Sequence, residues 1–353
     1  MVNTSSNKKN ILFATTILGL ISGITIRLFI HPDMLTSIAL TVIGLYVIFT
    51  TSEEVTHGFD YITRRLGFSQ YVAGIISSLA SNLPEIIIAL ILVMNPLLRE
   101  VAILTVILAA AFNLILLGIL IIMLTYKGGY ISIPRIALER DIEVTRLVIT
   151  MSILIFGAGI IINVFHGEPY LPREIMIFPL ISYLGYMYFL SKERDTNQED
   201  KAEAPPNWKT NFVLGMISIL LGAEFLSSSA EYFTEILHFN PVITATMTAF
   251  AGSVPEHGIA IIAARKGYVE MGISNLLSGV IQSIMLVLAI VALVVPLPLD
   301  GYILFQLLVV SASLWLVKKA VTDDSRLTLD EGLFILLAQV MGIVLLDELS
   351  MLI

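Results

Sequence analysis

Two stretches decide how this chain folds: Ser77-Ser78-Leu79-Ala80-Ser81-Asn82-Leu83-Pro84-Glu85 and Thr248-Ala249-Phe250-Ala251-Gly252-Ser253-Val254-Pro255-Glu256. Each sits inside an apolar run, over residues 70–95 and 242–264, and each ends on Pro-Glu. A carboxylate at the centre of a bilayer costs at least about 2.5 kcal/mol, so such an acid marks an ion site or path, or is held by a neighbouring helix. The proline has no N–H to offer the carbonyl four residues earlier, which frees the oxygens of Ala80 and Ala251. At helical spacing Ser81 and Asn82 share a face with Glu85, and Ser253 shares one with Glu256. Hard divalent cations take about six to eight oxygen ligands. Two carboxylates, two freed carbonyls, an amide and hydroxyls are such a set. The sequence has no cysteine, which removes thiolate sites for soft metals, disulfides and a cysteine nucleophile.

The two stretches are copies. Displaced by 171 residues, the chain pairs Glu53 with Glu224, Asp60 with Glu231, Tyr61 with Tyr232, Thr63 with Thr234, Pro84 with Pro255 and Glu85 with Glu256. Further on, a displacement of 170 pairs Glu100 with Glu270 and Asn113 with Ser283. Apolar helices resemble one another by composition, but composition does not align acids, prolines and tyrosines in one register.

The chain as a whole is apolar, 57% hydrophobic and only 14% charged, where soluble domains carry about 25% charged residues. This excludes a water-soluble enzyme and a disordered scaffold and makes the lipid bilayer a partner. The net charge of -8 argues against nucleic acid. Runs long enough to cross a bilayer, roughly 20 residues, occur near 11–30, 34–58, 70–95, 100–125, 144–165, 171–190, 209–237, 242–264, 269–296, 300–318 and 329–350. The first follows Lys8 and Lys9 as a signal peptide would, but it is too long for an h-region and no small-residue cleavage site follows, so it reads as a retained span. Eleven spans gather the basic residues on one side and leave only Arg27, Arg99 and Arg173 on the other. That partition sets the N-terminus in the cytoplasm and the C-terminus outside.

The expected fold is therefore all-α and polytopic. A tail and extra helix (1–33) precede a first five-helix repeat (34–190), a charged, solvated cytoplasmic linker (191–208) and a second five-helix repeat (209–353). Because five is odd, the second repeat is inverted in the membrane. Inverted repeats are typical of secondary transporters, whose sites lie near the midplane where the halves meet.

The pair Ser81-Asn82-Leu83-Pro84-Glu85 and Gly252-Ser253-Val254-Pro255-Glu256 resembles the two signature repeats of the calcium/cation antiporter superfamily, the sodium/calcium and proton/calcium exchangers. The span count, the inverted repeat and the central loop fit as well, and the extra first helix resembles the eleven-span proton/calcium branch. The resemblance implies that Glu85 and Glu256 bind calcium directly and that Asn113 and Ser283, on the following helices, contribute. Packing contacts between helices are the other reading of Asn113 and Ser283. Sodium-coupled members carry a Gly-Ser-Asn stretch where this chain has Leu108-Ala109-Ala110 and Ser278-Gly279-Val280, so the hydroxyls of flanking sodium sites are missing at Ala109 and Gly279. Glu256-His257 and Gln282 resemble the Glu-His and Gln of proton/calcium exchangers, whereas the proline before each acid is more typical of the sodium branch. His257 is either a proton relay or a helix contact.

What the resemblance implies is antiport of a divalent cation, Ca2+ first, against protons, with sodium as the alternative counter-ion. No resident cofactor and no enzymatic activity are expected, and the setting is a prokaryotic plasma membrane. Gly222-Ala223-Glu224 resembles the start of the family's gating helix, which makes Glu53 and Glu224 candidates for the access path. Asp60 and Glu231, nearer the helix ends, read as solvated interfacial acids. A channel with the same acids as a selectivity ring is the competing class, and no Ser-His, Cys-His or metal-histidine constellation supports an enzyme. The absence of cysteine makes the orientation testable. Glu168→Cys, between the fifth and sixth spans, should react with a membrane-impermeant maleimide on intact cells, and Asp324→Cys only after permeabilisation. The reverse pattern overturns the assigned orientation.

Overall fold

Hydrocarbon offers no water to backbone N–H and C=O groups, so each apolar run pairs them internally as helix. The computed structural model describes residues 2–66, 76, 79–126, 128–133, 135–191 and 207–345, and helix occurs in every expected run. The helices are α1 (Val2–Phe29), α2 (Met34–Arg65), α3 (Leu83–Met94), α4 (Arg99–Thr125), α5 (Arg135–His166), α6 (Ile177–Ser191), α7 (Trp208–Glu231), α8 (Pro241–Arg265), α9 (Val269–Gln282), α10 (Leu288–Val294), α11 (Gly301–Asp323) and α12 (Leu329–Val344). Two short strands, β1 (Tyr130–Ser132) and β2 (Arg326–Thr328), lie between them. Among the described residues, six stretches are long and apolar enough to cross a membrane: Met34–Thr63, Pro96–Thr125, Asp141–His166, Trp208–Ile236, Val269–Val294 and Gly301–Asp323. Most of the linker between the repeats lies outside the described residues.

Side chains seal several helix starts. Asp33 accepts a hydrogen bond from Thr36 N at 2.7 Å ahead of α2, and that backbone donor holds its carboxyl below the usual range. Asp300 accepts from Ile303 N at 2.8 Å at the start of α11. Thr328 and Glu331 form a capping box on α12.

The chain forms two compact units that interleave the sequence halves: residues 1–102 with 190–255, and residues 103–189 with 256–353. In the first unit, α2 and α7 run antiparallel along a seam of glycines. A Cβ on Gly44 would stand 2.8 Å from Gly222 O and 3.1 Å from Leu226 Cγ; one on Gly215 would stand 3.2 Å from Thr51 O and 2.5 Å from Val55 Cγ2. The displacement of 171 carries Gly44 to Gly215, Thr51 to Gly222 and Val55 to Leu226. The two contacts are therefore one contact seen from opposite repeats, which is the pairing an inverted repeat demands. Small residues at such a seam let helix backbones approach closely where no hydrophobic force holds them together.

The second unit repeats the logic at its ends. Its core is α11 packed along α5, and α4 meets α12 where a Cβ on Gly118 would stand 2.8 Å from Gly332 O. β1 pairs antiparallel with β2, Ile131 opposite Leu327, tying the α4–α5 loop to the α11–α12 loop. A bridge between Tyr170 and Pro298 ties the α5–α6 loop to the α10–α11 loop, with Leu171 N donating to Leu297 O and Leu299 N to Pro169 O, both at 2.9 Å. Exchange of the repeats converts one tie into the other.

The seam predicts which glycines matter. Gly44→Leu or Gly222→Leu should destabilise the solubilised protein by about 1–3 kcal/mol, the usual penalty of overpacking. Gly157→Ala, with nothing within 4 Å of the new methyl, should leave its melting temperature unchanged. Equal melting temperatures for all three variants would refute the close approach of α2 and α7.

Candidate functional site

The helix through the first motif is broken. Residues 79–81 are helical, Asn82 turns (φ -85°, ψ -1°), and α3 restarts at Leu83 with Pro84 in its first turn. A proline there gives up an N–H that would have no intrahelical partner in any case. Glu85 thus stands in the first turn of a helix that begins inside an apolar run, where the positive end of the helix dipole favours a carboxylate. It is 1% exposed, and Ala80, Ser81 and Asn82 are buried with it. Ile86 N donates to Asn82 O at 3.1 Å, closing the turn.

The second motif behaves differently, because α8 continues through Pro255 without interruption. Ala251 and Ser253 are buried, and Ser253 Oγ donates to Ala249 O at 2.9 Å, which leaves its lone pairs available. Gly252 lies against the first motif. A Cβ there would stand 3.4 Å from Glu85 Cα and 3.7 Å from Glu85 Cβ. Within the first unit the structure therefore brings Glu85, Ser81, Asn82 and the Ala251–Ser253 segment together. Glu256 and His257 follow on α8, and their side chains lie outside the described residues.

In the second unit, Asn113 on α4 is fully buried, and neither amide atom has a hydrogen-bond partner among the described residues. An orphaned amide in a membrane protein is costly and calls for a ligand or water. Its repeat equivalent, Ser283, opens a π-helical turn, Ser283–Val287, and donates to Gly279 O at 2.9 Å. Such turns occur frequently at functional sites. Gln282 Nε2 donates to Ser278 Oγ at 3.0 Å.

The accessory acids are not part of the buried group. Glu53 is exposed and lies 3.4 Å from His57 Nε2, and Glu224 is half exposed and lies 3.7 Å from Arg27 Nη2. Glu231, read from sequence as a solvated acid, instead accepts from Asn95 Nδ2 at 3.2 Å and ties α7 to the end of α3. Asn95 carried no sequence signal, and Arg27 stood out only as one of the three basic residues assigned to the outer side, with nothing to name its partner. Among the described residues no three His, Asp or Glu side chains converge as a metal site.

The comparisons with known proteins place the chain in a class, the transporters that exchange ions. The model of the family described as sodium/calcium exchanger protein matches residues 36–192 and 210–351, one segment on each side of the linker. The chain belongs to that family. The sodium/calcium exchanger MaX1 of Methanosarcina acetivorans is 32% identical over 94 residues, 26% of this chain and 27% of that protein, so the match spans about a quarter of this relative. The crystal structure of the H+/Ca2+ exchanger CAX aligns with a TM-score of 0.74 at 15% identity, over 98% of this chain and 93% of that one. The sodium-calcium exchanger NCX_Mj aligns with a TM-score of 0.61 at 20% identity, over 87% of this chain and 98% of that one. At those identities the two structures share the fold.

The contact at Gly252 yields a test. Gly252→Ala puts a methyl at ordinary van der Waals distance from Glu85 and should melt within about 0.5 kcal/mol of the wild type, the usual range for a harmless change. Gly252→Leu should cost about 1–3 kcal/mol by overpacking and abolish 45Ca2+ binding. Wild-type binding by the leucine variant would show that the two motifs do not depend on one another.

Proposed function

We propose that this chain is an antiporter that exchanges a divalent cation, Ca2+ first, for protons by alternating access. The observation that carries the reading is Glu85, a buried carboxylate at a helix start inside the membrane, seated against Gly252 of the second motif. In this reading Glu85 and Glu256 hold the cation, helped by Ser81, Asn82, Ser253, Asn113, Ser283 and the carbonyls of Ala80 and Ala251. Both motifs are rich in hard oxygen donors, as Ca2+ requires. A low-dielectric site emptied of its dication holds two repelling carboxylates, and protons neutralise them. Exchange follows if the protein changes face only when cation or protons occupy the site. The N-terminus is assigned to the cytoplasm and the repeats to residues 34–190 and 209–353 on the sequence arguments given above.

The absence of hydroxyls at Ala109 and Gly279, both buried, supports protons over sodium. The relative MaX1, named as a sodium/calcium exchanger, favours sodium as the second reading. Ca2+ uptake into proteoliposomes separates them: an outward proton gradient without Na+ should drive uptake, and an outward Na+ gradient without a pH difference should not. Uptake under sodium alone would overturn proton coupling, and cation flux that persists without any counter-ion gradient would mean a channel. Glu85→Gln should lower exchange at least about tenfold, equivalent to about 1.4 kcal/mol of lost coordination, in a protein that still reaches the membrane. Wild-type flux in that variant would remove Glu85 from the mechanism.

A further inference from the structure

Exchange of the repeats carries Glu53 on α2 onto Glu224 on α7, yet these two acids have different partners. Glu53 Oε1 faces His57 Nε2 at 3.4 Å, one turn along its own helix. Glu224 Oε1 faces Arg27 Nη2 at 3.7 Å, on α1, the one helix that the repeat does not account for. α1 is held firmly there. Gly23 makes room for the ring of Phe225, the neighbour of Glu224, where a Cβ would stand 2.3 Å from Cε2. Leu20 shares a buried cluster with Leu40, Val47 and Phe225. Nearer the start of α1, Tyr46 donates to Thr15 Oγ1 at 2.7 Å, and the hydroxyls of Thr16 and Thr50 are 3.2 Å apart. Packing therefore fixes the helix that carries Arg27 against the helix that carries Glu224.

Stability does not account for the pair. Its side chains are 44% and 48% exposed, and ion pairs that open to their surroundings contribute little. What the guanidinium changes is the local field. A cation that approaches Glu224 meets a neutral pair instead of a net negative charge, and focused fields of this kind govern local cation concentration.

We propose that Arg27 is an affinity-setting residue, a tethered counter-ion that occupies Glu224 and weakens its attraction for the transported cation on the side of the membrane where α1 meets α2. This rests on the reading of Glu224 as an access-path acid of a cation exchanger. Among the described contacts the repeat-equivalent acid Glu53 faces His57 on its own helix, so the access-path acids of the two repeats carry different neighbours.

The test uses the full chain with Arg27→Gln, Arg27→Lys, Glu224→Gln and the double variant Arg27→Gln with Glu224→Gln. Two quantities are read: the half-saturating Ca2+ concentration for exchange from each face, in right-side-out and inside-out vesicles, and equilibrium 45Ca2+ binding to the purified protein. Arg27→Gln should lower the half-saturating concentration about threefold or more from one face and tighten 45Ca2+ binding, and high ionic strength should shrink both effects as exposed charges are screened. Arg27→Lys should stay near the wild type, and in the Glu224→Gln background Arg27→Gln should have no effect. A change of the same size in that background, an equal change from both faces, or a loss of rate at unchanged half-saturation would overturn the proposal. So would unchanged 45Ca2+ binding. Wild-type protein that fails to exchange Ca2+ with either gradient would sink the proposed function, and 45Ca2+ binding would still decide the role of Arg27.

Discussion

Burying a carboxylate in hydrocarbon is the constraint on which the local structure around Glu85 turns. Isolated, the charge would cost several kcal/mol, and three features of the chain answer that cost together. Pro84 cannot continue the helix above it, so the span breaks at Asn82 and a new helix begins. That beginning places the positive end of a helix dipole just where the acid stands. Gly252 then lets the second motif approach the acid without a side chain between them. The prolines of the two motifs do not act alike: Pro84 lies at a helix start, whereas Pro255 lies within a continuous helix and only withholds a hydrogen bond.

The glycine seam between α2 and α7 has a similar physical basis on a larger scale. Hydrocarbon provides no hydrophobic drive for helices to associate, so van der Waals contact has to supply it. The contacts of Gly44 with Gly222 and of Gly215 with Thr51 do this twice, in positions exchanged by the repeat. The ladder of β1 with β2 and the bridge of Tyr170 with Pro298 are exchanged in the same way. The same contacts therefore recur in positions exchanged by the sequence displacement, in each unit taken separately.

Much of this was legible in the sequence because hydrocarbon punishes polar residues so heavily that few survive without a reason. Glu85, Pro84, Asn82 and the displacement of 171 residues stand out against Leu and Ile, and they located both the helices and the buried acid. What the sequence could not give was partnership. Nothing in the order of residues says that Glu231 bonds Asn95, that Glu54 accepts from Asn211 at 2.9 Å, or that α1 lays Arg27 beside Glu224. These are contacts between elements far apart in the chain, set by which faces pack, and a single polar residue at a helix end has no pattern to betray it. The break at Asn82 lay between. Proline announced an interruption, but its position two residues earlier and the uninterrupted course of α8 through an equivalent proline depend on tertiary packing.

The repeats have drifted apart where a transporter would profit from difference. Asn113 is a fully buried amide on a regular helix, and its equivalent Ser283 opens a π turn. The first motif is broken and the second is not. Glu53 faces a histidine on its own helix and Glu224 an arginine on another. A perfectly symmetric pair of repeats would bind its cation equally well from both sides, and a coupled exchanger working across a gradient has no need of that. Under the proposed mechanism, the shared packing of glycines keeps the two faces interconvertible, while the divergent polar residues make them unequal. The extra helix α1 fits that scheme, since it lays Arg27 beside Glu224 and leaves the seam between α2 and α7 intact.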